Sequence, residues 1–452
     1  MVSPTATKPG FISKFFRFPP LNLALLAALA PQYNYQIIDE NVDRLNFDSE
    51  GIQGTDIVGL TAMTAQAPRA YELADRFKKM AKTVVMGGMH VSALPEEALK
   101  HCDVVVVGEA EGIWPKLLED YTKGKLKRIY QNKELPDLSG LPKPRRDLLK
   151  RENYLGFNTL HVSRGCPFNC SFCAVSKFFG TKYRLRPVNE VIEEIESMVE
   201  NDKICSWRKA MAKLWNKAQA NPFAFLDDNI FGQKEYAKKL FEALIPLRIF
   251  WGSQASINIA RPENEDLVKL AAQSGCRFLF VGLESIHQSS LDRIGKRVNR
   301  PESYRGTVRL FHKYGIAVLG AFVFGFDSED RSVFKRTVEF AQDIGLDLAQ
   351  FTVLTPLPGT LLMEELKKKE RIREENWARY DFRTAVFEPL EMSAQELIRG
   401  KEWAWKKFYS CSSILRRAPS LVDRQRSLVY GIANLAYRLL RNKLWEDSQN
   451  AS

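Results

Sequence analysis

The chain has 452 residues, 45% of them hydrophobic and 27% charged, and carries a formal charge of +12. That length exceeds one ordinary domain of roughly 100–200 residues, and the composition excludes a disordered or fibrous chain. Seven cysteines, three clustered and four scattered, exclude a secreted disulfide framework and favour a reducing, cytoplasmic setting.

Residues 21–32, "LNLALLAALAPQ", follow Lys8, Lys14 and Arg17 and so imitate a secretory signal. The apolar run is far shorter than the roughly 20 residues that span a bilayer. It is expected instead to be the first helix of an α/β domain. A weak strand is read at "GFISKFF" (10–16), and clearer ones at "YQIID" (35–39), "TDIVGLTAM" (55–63), "KTVVMGG" (82–88) and "CDVVVVGEAEG" (102–112). The Ile, Val and Leu runs suit strands buried on both faces. "APRAYELADRFKKM", "PEEALKH" and "IWPKLLEDYTKG" between and after them carry helical spacing and helix-start prolines. Residues 1–135 are therefore expected to form a parallel, Rossmann-like α/β domain with its ligand at the carboxyl ends of the strands. Residues 136–158, with three prolines and a charge run, read as a linker.

Residues 159–360 repeat the alternation six times, at "TLHVSR", "FAFLDD", "IFWGSQASI", "RFLFVGLES", "IAVLGAFVFGF" and "DLAQFTVLT". Six such units predict an open, partial (β/α)6 barrel with its site at the carboxyl ends of the strands. The stretch 201–221 is a basic insertion. Residues 361–452 are expected to be mainly helical, beginning a helix at the capping box of Ser393 and Glu396.

The chemistry is concentrated in "SRGCPFNCSFCAV" (163–175), which places Cys166, Cys170 and Cys173 directly after the first barrel strand. Thiolates select zinc, copper(I) or iron–sulfur clusters. Structural zinc almost always takes four protein ligands, and His161 would have to fold back on its own loop to be the fourth. Three thiolates suit a four-iron cluster with one iron left open to a chelating small molecule.

With Phe172 just before the last cysteine, this spacing resembles the radical S-adenosylmethionine (SAM) enzymes, over roughly residues 155–360. The resemblance implies a [4Fe-4S] cluster on the three cysteines, SAM chelated to its open iron, a 5′-deoxyadenosyl radical, and an electron donor such as flavodoxin or ferredoxin. It places the SAM ammonium at Asp227 and Asp228 in "FLDDNIF" and the ribose at Glu284 and Ser285 in "VGLES". Gln254 is expected to point inward from its strand. "GAFVFGFDSE" is similar to the adenine-side glycine motif, but Glu329 falls one residue late.

The amino-terminal stretches "VGLTAMT" (Thr61, Thr64), "VMGGMHVSALPEEAL" (Gly87, Gly88, His90) and "VVVVGEAEG" (Gly108, Glu109) resemble the cobalamin-binding subgroup. Glycine at strand ends admits a bulky corrin. The cobalt-ligating Asp-x-His-x-x-Gly is missing: "IIDENVDRLNF" has Asp39 but no histidine. The resemblance implies a cobalamin-dependent methyltransferase acting on an unactivated carbon. The alternative is a non-methylating radical oxidation, cyclisation or carbon–carbon bond formation. Methylthiotransferases bring their own cysteine trio in this domain, where this chain has only Cys102.

No nucleic-acid partner is expected, because the basic charge lacks interleaved aromatic–basic motifs. Residues 401–443 carry ten Lys or Arg against two Asp or Glu. Leu428, Ile432, Leu435 and Leu439 recur there at helical spacing among Arg424, Arg426, Arg438, Arg441 and Lys443. Such a helix either packs on the barrel with a solvated basic face or lies on an anionic membrane. The second case would suit a lipid or tetrapyrrole substrate.

Overall fold

The computed structural model describes residues 1–6, 18–154, 156, 158–200, 222–259, 261–419, 426–427 and 430–438. The expected strand at 10–16, the insertion 201–221 and Arg424, Leu428, Leu439, Arg441 and Lys443 lie outside the described residues. The rest divides into two compact units, one of Met1–Thr159, Gly165–Leu185 and Pro356–Asp381, the other of Leu160–Arg164, Arg186–Thr355 and Phe382–Ser452.

The first unit is built on a six-stranded sheet. Its strands are β1 (Val2–Ser3), β2 (Ile38–Asp39), β3 (Ile57–Thr61), β4 (Thr83–Gly87), β5 (Val104–Val107) and β6 (Ile129–Gln131), in the order β2-β1-β3-β4-β5-β6. All neighbours are parallel. The order reverses direction between β1 and β3, which opens a crevice outside the strands' carboxyl ends. The apolar run at the start becomes α1 (Leu21–Leu29), which buries Leu21, Leu23, Ala24, Leu25 and Ala27. α2 (Ala67–Lys79) lays Ala70, Tyr71, Leu73, Ala74 and Phe77 on the sheet, the i, i+3, i+4 pattern of an amphipathic helix. α3 (Met89–Ala93) follows β4, and α4 (Trp114–Thr122) carries a proline in its first turn. Two strands were not anticipated: β1, because two residues carry no periodicity, and the edge strand β6, which alternates exposed and buried over only three. In this unit α5 (Val175–Phe179) follows the cysteines, and α11 (Leu361–Lys368) is capped by Thr360, whose hydroxyl accepts from the Met363 amide at 3.3 Å.

The second unit carries the barrel strands β7 (Thr159–Leu160), β8 (Phe223–Phe225), β9 (Trp251–Ala255), β10 (Cys276–Glu284), β11 (Ala317–Phe324) and β12 (Leu348–Val353). They lie in chain order, and every described register is parallel. The first of them rests in both units, and the Leu226 amide binds the Leu160 carbonyl at 2.8 Å. Helices α6 (Val188–Glu200), α7 (Lys234–Leu244), α8 (Glu265–Gln273), α9 (Pro301–Lys313) and α10 (Val333–Asp343) follow their strands, each with an apolar stripe. α12 (Ala394–Phe408) begins at the expected capping box, where the Ser393 amide binds Glu396 at 2.9 Å and the Glu396 amide binds the Ser393 hydroxyl at 3.3 Å. α13 (Cys411–Arg417) and residues 430–438 are also helical.

Ring packing tells the two faces of this sheet apart. Trp251 stacks on Phe241 of α7 and meets Phe225 edge-on; Phe324 meets Phe334 of α10, and Phe351 meets Phe408 of α12. Those side chains define the helix-covered face. The alternate residues Gln254, Phe278, Phe280, Ala321, Gln350 and Thr352 share the inner face, as their register pairings require.

Candidate functional site

The cysteine loop is closed by short contacts. The Cys166 amide donates to the Gly180 carbonyl at 3.2 Å and the Cys173 amide to the Cys170 carbonyl at 3.0 Å. The Ser176 hydroxyl donates to the Asn169 side chain at 3.1 Å, and the Leu362 amide to the Ser171 carbonyl at 2.9 Å. Cys166, Cys170 and Cys173 are partly exposed, and none is in a disulfide. Phe172 is half-buried in the turn between the last two. Among the described residues no three His, Cys, Asp or Glu groups are placed to hold a single metal ion. A soft set of three thiols on one accessible loop fits an iron–sulfur cluster.

On the barrel, the adjacent aspartates part company. Asp227 falls on the helix-covered face with Phe223 and Phe225 and is fully buried. Its carboxylate accepts the amides of Val162 and Ser163 and the Ser163 hydroxyl, which clasps the first strand's exit to the second. Burial pushes its pKa up to about 7 against the pull of these donors. Asp228 follows Ala224 and Leu226 on the less covered inner face, half-buried. No described residue donates to it, and burial alone raises its pKa to about 6. A desolvated carboxylate with no partner among the described residues fits a ligand ammonium.

β10 ends in a bulge between Gly282 and Glu284. Glu284 takes a left-handed backbone, φ 65°, uncommon outside glycine. Asn299 donates to the carbonyls of Gly282 and Leu283 at 2.9 and 3.0 Å, and the Tyr304 hydroxyl to Leu283 at 2.8 Å. The Glu284 carboxylate pairs with Lys296, so any ligand hydroxyl would share it with that ammonium. Ser285 donates to Glu329 at 2.8 Å, whose other oxygen takes the Gly325 and Phe326 amides at 3.1 and 3.3 Å. Glu329 is buried, which lifts it to about 7, and it ties the ends of β10 and β11 together despite its late position. Gln254 is exposed on the inner face of β9, so that face is open to solvent there.

At the carboxyl ends of the first sheet the expected glycines are present. Gly87 closes β4. Gly88 has φ 99°, and a Cβ there would lie 2.8 Å from the Ala62 carbonyl. Gly108, at φ 78°, faces open space: a Cβ would meet nothing within 4 Å. Glycine adopts such angles freely, and the bare backbone at Gly108 leaves room for a corrin. Thr61 accepts from Asn22 at 3.3 Å and Thr64 is buried. His90 is turned into the core, 3.1 Å from the Tyr71 hydroxyl and edge-on to Trp377, and burial lowers its pKa. Asp39 is held by Asn41 and by Tyr154 at 2.9 Å. Glu109 is buried against Arg184.

Three of these partners escaped the sequence: Ser163, Lys296 and Arg184. Each lies 12 or more residues from the carboxylate it meets, without a local spacing to announce it. Only Lys296 had an indirect signal, the glycine in "GLES", over which the Glu284–Lys296 pair folds.

A thiol triplet follows the first barrel strand in the chain, and carboxylates end the later strands of the parallel sheet. A family profile for the Radical SAM superfamily matches residues 160–341, and one for the B12 binding domain matches residues 11–118. The chain is 33% identical to bacteriochlorophyllide d C-8(2)-methyltransferase of Chlorobaculum tepidum over 92% of its length and 90% of that protein's. It is 31% identical to the C-12(1)-methyltransferase of the same organism, over 88% and 84%. Its fold matches the radical SAM methyltransferase TsrM of Kitasatospora setae, solved with cobalamin and a [4Fe-4S] cluster, at a TM-score of 0.62, 17% identity and 88% and 80% coverage. The chain belongs to the cobalamin-binding radical SAM methyltransferases, whose cofactors are a [4Fe-4S] cluster, SAM and cobalamin.

Proposed function

We propose that the chain methylates an unactivated carbon on a tetrapyrrole. The observation that carries this reading is the nearly end-to-end similarity to two methyltransferases that act on bacteriochlorophyllide d. The inner barrel face supports it: Phe278, Phe280 and Ala321 offer apolar contact for a flat ring system, and Gln254, Gln350 and Thr352 offer polar anchors. When bound, the cluster with SAM supplies hydrogen-atom abstraction and cobalamin supplies the methyl group. The chain's own part is to bind, orient and exclude water. Cys166, Cys170 and Cys173 hold the cluster, with Phe172 shielding it. Asp228 takes the SAM ammonium, and Glu284, steadied by Lys296, takes the ribose hydroxyls. Ser285 and Glu329 keep the two strand ends in register. Thr61, Thr64, Gly87, Gly88 and Gly108 form the corrin's floor.

The +12 charge favours an acidic one-electron donor of the flavodoxin or ferredoxin kind. Among the described residues no helix is long and apolar enough to cross a membrane. Leu415, Ile432 and Leu435 are nonetheless 77%, 63% and 58% exposed, with Arg416 adjoining. That pairing supports peripheral contact with an anionic bilayer, and failure to sediment with anionic liposomes at low salt would refute it.

The central test is anaerobic reconstitution with iron, sulfide and cobalamin, followed by methyl-labelled SAM and bacteriochlorophyllide acceptors. Label on a macrocycle side-chain carbon, with equal 5′-deoxyadenosine and S-adenosylhomocysteine, is the expected outcome. 5′-Deoxyadenosine without S-adenosylhomocysteine would establish the non-methylating alternative instead.

A further inference from the structure

Glu109 closes the turn after β5, one residue beyond the open Gly108, and its side chain is 1% exposed. An acid so deeply buried needs a counter-charge, because desolvating an unpaired carboxylate costs several kcal/mol. Arg184 provides it. One guanidinium nitrogen donates to Glu109 at 3.2 Å, and the second donates to its other oxygen. The same two nitrogens also reach the Pro136 carbonyl at 2.7 Å and the Phe179 carbonyl at 3.1 Å.

The Phe179 carbonyl belongs to the last residue of α5, the helix that leaves the cysteine loop. The next carbonyl, Gly180, receives the Cys166 amide. One guanidinium therefore joins the glycine turn of the first sheet to the backbone that closes the thiol loop. All of these residues lie in the first compact unit, which gathers Gly165–Leu185 with the amino-terminal sheet. Both carboxylate oxygens of Glu109 are engaged by the Arg184 guanidinium. The Gly108 amide is itself fixed by the Ser92 hydroxyl at 2.8 Å, so the turn is rigid from both sides.

We propose that Glu109 and Arg184 are positioning residues that hold the cysteine loop in register with the corrin-side turn, rather than contacts to the corrin. The proposal rests on the cofactor assignment above. A planar fork is required, since four acceptor contacts must be met at once by one rigid group. A lysine carries the charge but not the fork, so Arg184→Lys is not conservative here.

The experiment uses the full chain, reconstituted anaerobically, as wild type, Arg184→Lys, Glu109→Gln and the exchanged pair Glu109→Arg with Arg184→Glu. Three quantities are read: the EPR line shape of the dithionite-reduced cluster with and without SAM, the cobalamin retained after desalting, and 5′-deoxyadenosine released per methyl transferred. Both single variants should keep cobalamin within about twofold of wild type while the cluster signal shifts and its response to SAM weakens. They should release about tenfold more 5′-deoxyadenosine per methyl, since a misplacement of ~1 Å can cost ~100-fold in rate. The exchanged pair, which sets a carboxylate against the Pro136 and Phe179 carbonyls, should shift the signal at least as far as the single variants. Wild-type EPR in both single variants would overturn the proposal. So would loss of cobalamin in Glu109→Gln alone, which would make Glu109 a corrin contact. If Glu109→Gln does not fold, Arg184→Lys decides by the same spectrum. The EPR readout does not depend on methylation, so an error in the proposed reaction would show separately, as an absent methyl product in wild type.

Discussion

The two parallel sheets end differently. In the first, β4 and β5 finish in glycine: Gly87, Gly88 and Gly108 present backbone there, a side chain at Gly108 would have met no neighbour, and the acids Asp39 and Glu109 are held by the chain itself. The ends of the second are crowded with acids: Asp227 and Asp228 after β8, Glu284 on β10 and Glu329 after β11. Both sheets obey the same rule, that ligands bind beyond the carboxyl ends of parallel strands. What they offer differs. The first sheet offers room beside bare glycine backbone, which suits a large rigid macrocycle. The second offers carboxylates, which suit the ammonium and hydroxyls of a small zwitterionic nucleotide. Within the second, the acids divide again. Asp227 and Glu329 are spent on amides and hydroxyls of their own chain, while Asp228 has no described partner.

The comparison breaks most completely at Asp228. Asp228→Asn removes a charge-assisted contact worth about 1.5–3 kcal/mol, so SAM affinity should fall roughly 10- to 100-fold. The thermal midpoint should stay near wild type, because no described residue bonds to that side chain. Equilibrium dialysis with labelled SAM and a melting curve measure both. Unchanged affinity would put the ammonium elsewhere.

Asp227→Asn should give the opposite split. Its carboxylate satisfies the Val162 and Ser163 amides at once, and an amide side chain cannot accept both through two oxygens. A stability loss of about 1–3 kcal/mol is expected, read by denaturant unfolding of the reconstituted protein. The affinity of the surviving folded fraction for SAM should change far less than in Asp228→Asn.

Much of this division was legible in the sequence, and part was not. The barrel strands were readable because Val, Leu and Phe runs such as 317–324 are bounded by glycine and helix signals. The thiol loop was readable because its spacing is local. Which aspartate of a neighbouring pair is bound up by its own chain was not, since the answer depends on the register of β8 against the first strand. Period-two alternation leaves two phases open, and only a long-range contact such as Leu226 to Leu160 chooses between them. The same holds for Lys296 and Arg184. Both supply charge to a buried acid across a stretch of chain with no periodic relation to it. The grouping of the cysteine loop with the amino-terminal sheet is likewise a property of long-range packing.

On the first sheet, the sharper contrast is between two glycines. Gly88→Ala should cost stability, since the left-handed angle and the close Ala62 carbonyl act together. Gly108→Ala meets no neighbour, so only the backbone angle opposes it, at about 1 kcal/mol. If a corrin occupies that space, cobalamin retention should drop several-fold in Gly108→Ala with SAM affinity unaltered. Wild-type retention in Gly108→Ala would mean that the open space at Gly108 is not where the macrocycle rests.

The smallest expected effect is a pH dependence confined to the second sheet. Burial raises Asp228 to about 6, so the site loses its charge as pH falls through that value. The sign follows directly: the ionised carboxylate attracts the ammonium, the neutral acid does not, and binding weakens on acidification. From about pH 7 to about pH 6 the ionised fraction falls from roughly nine-tenths to one-half, which gives about a twofold loss of SAM affinity. In protein without the cluster, where no iron competes for the α-amino nitrogen, that group, with a reference pKa near ~8, stays mostly protonated across the interval and adds no opposing trend. Asp228→Asn should flatten the profile at its weaker affinity, whereas Gly108→Ala should leave it intact. A profile that persists in Asp228→Asn would assign the titration to Asp227 or Glu329, both raised to about 7, and would place the working acid among the groups here described as structural.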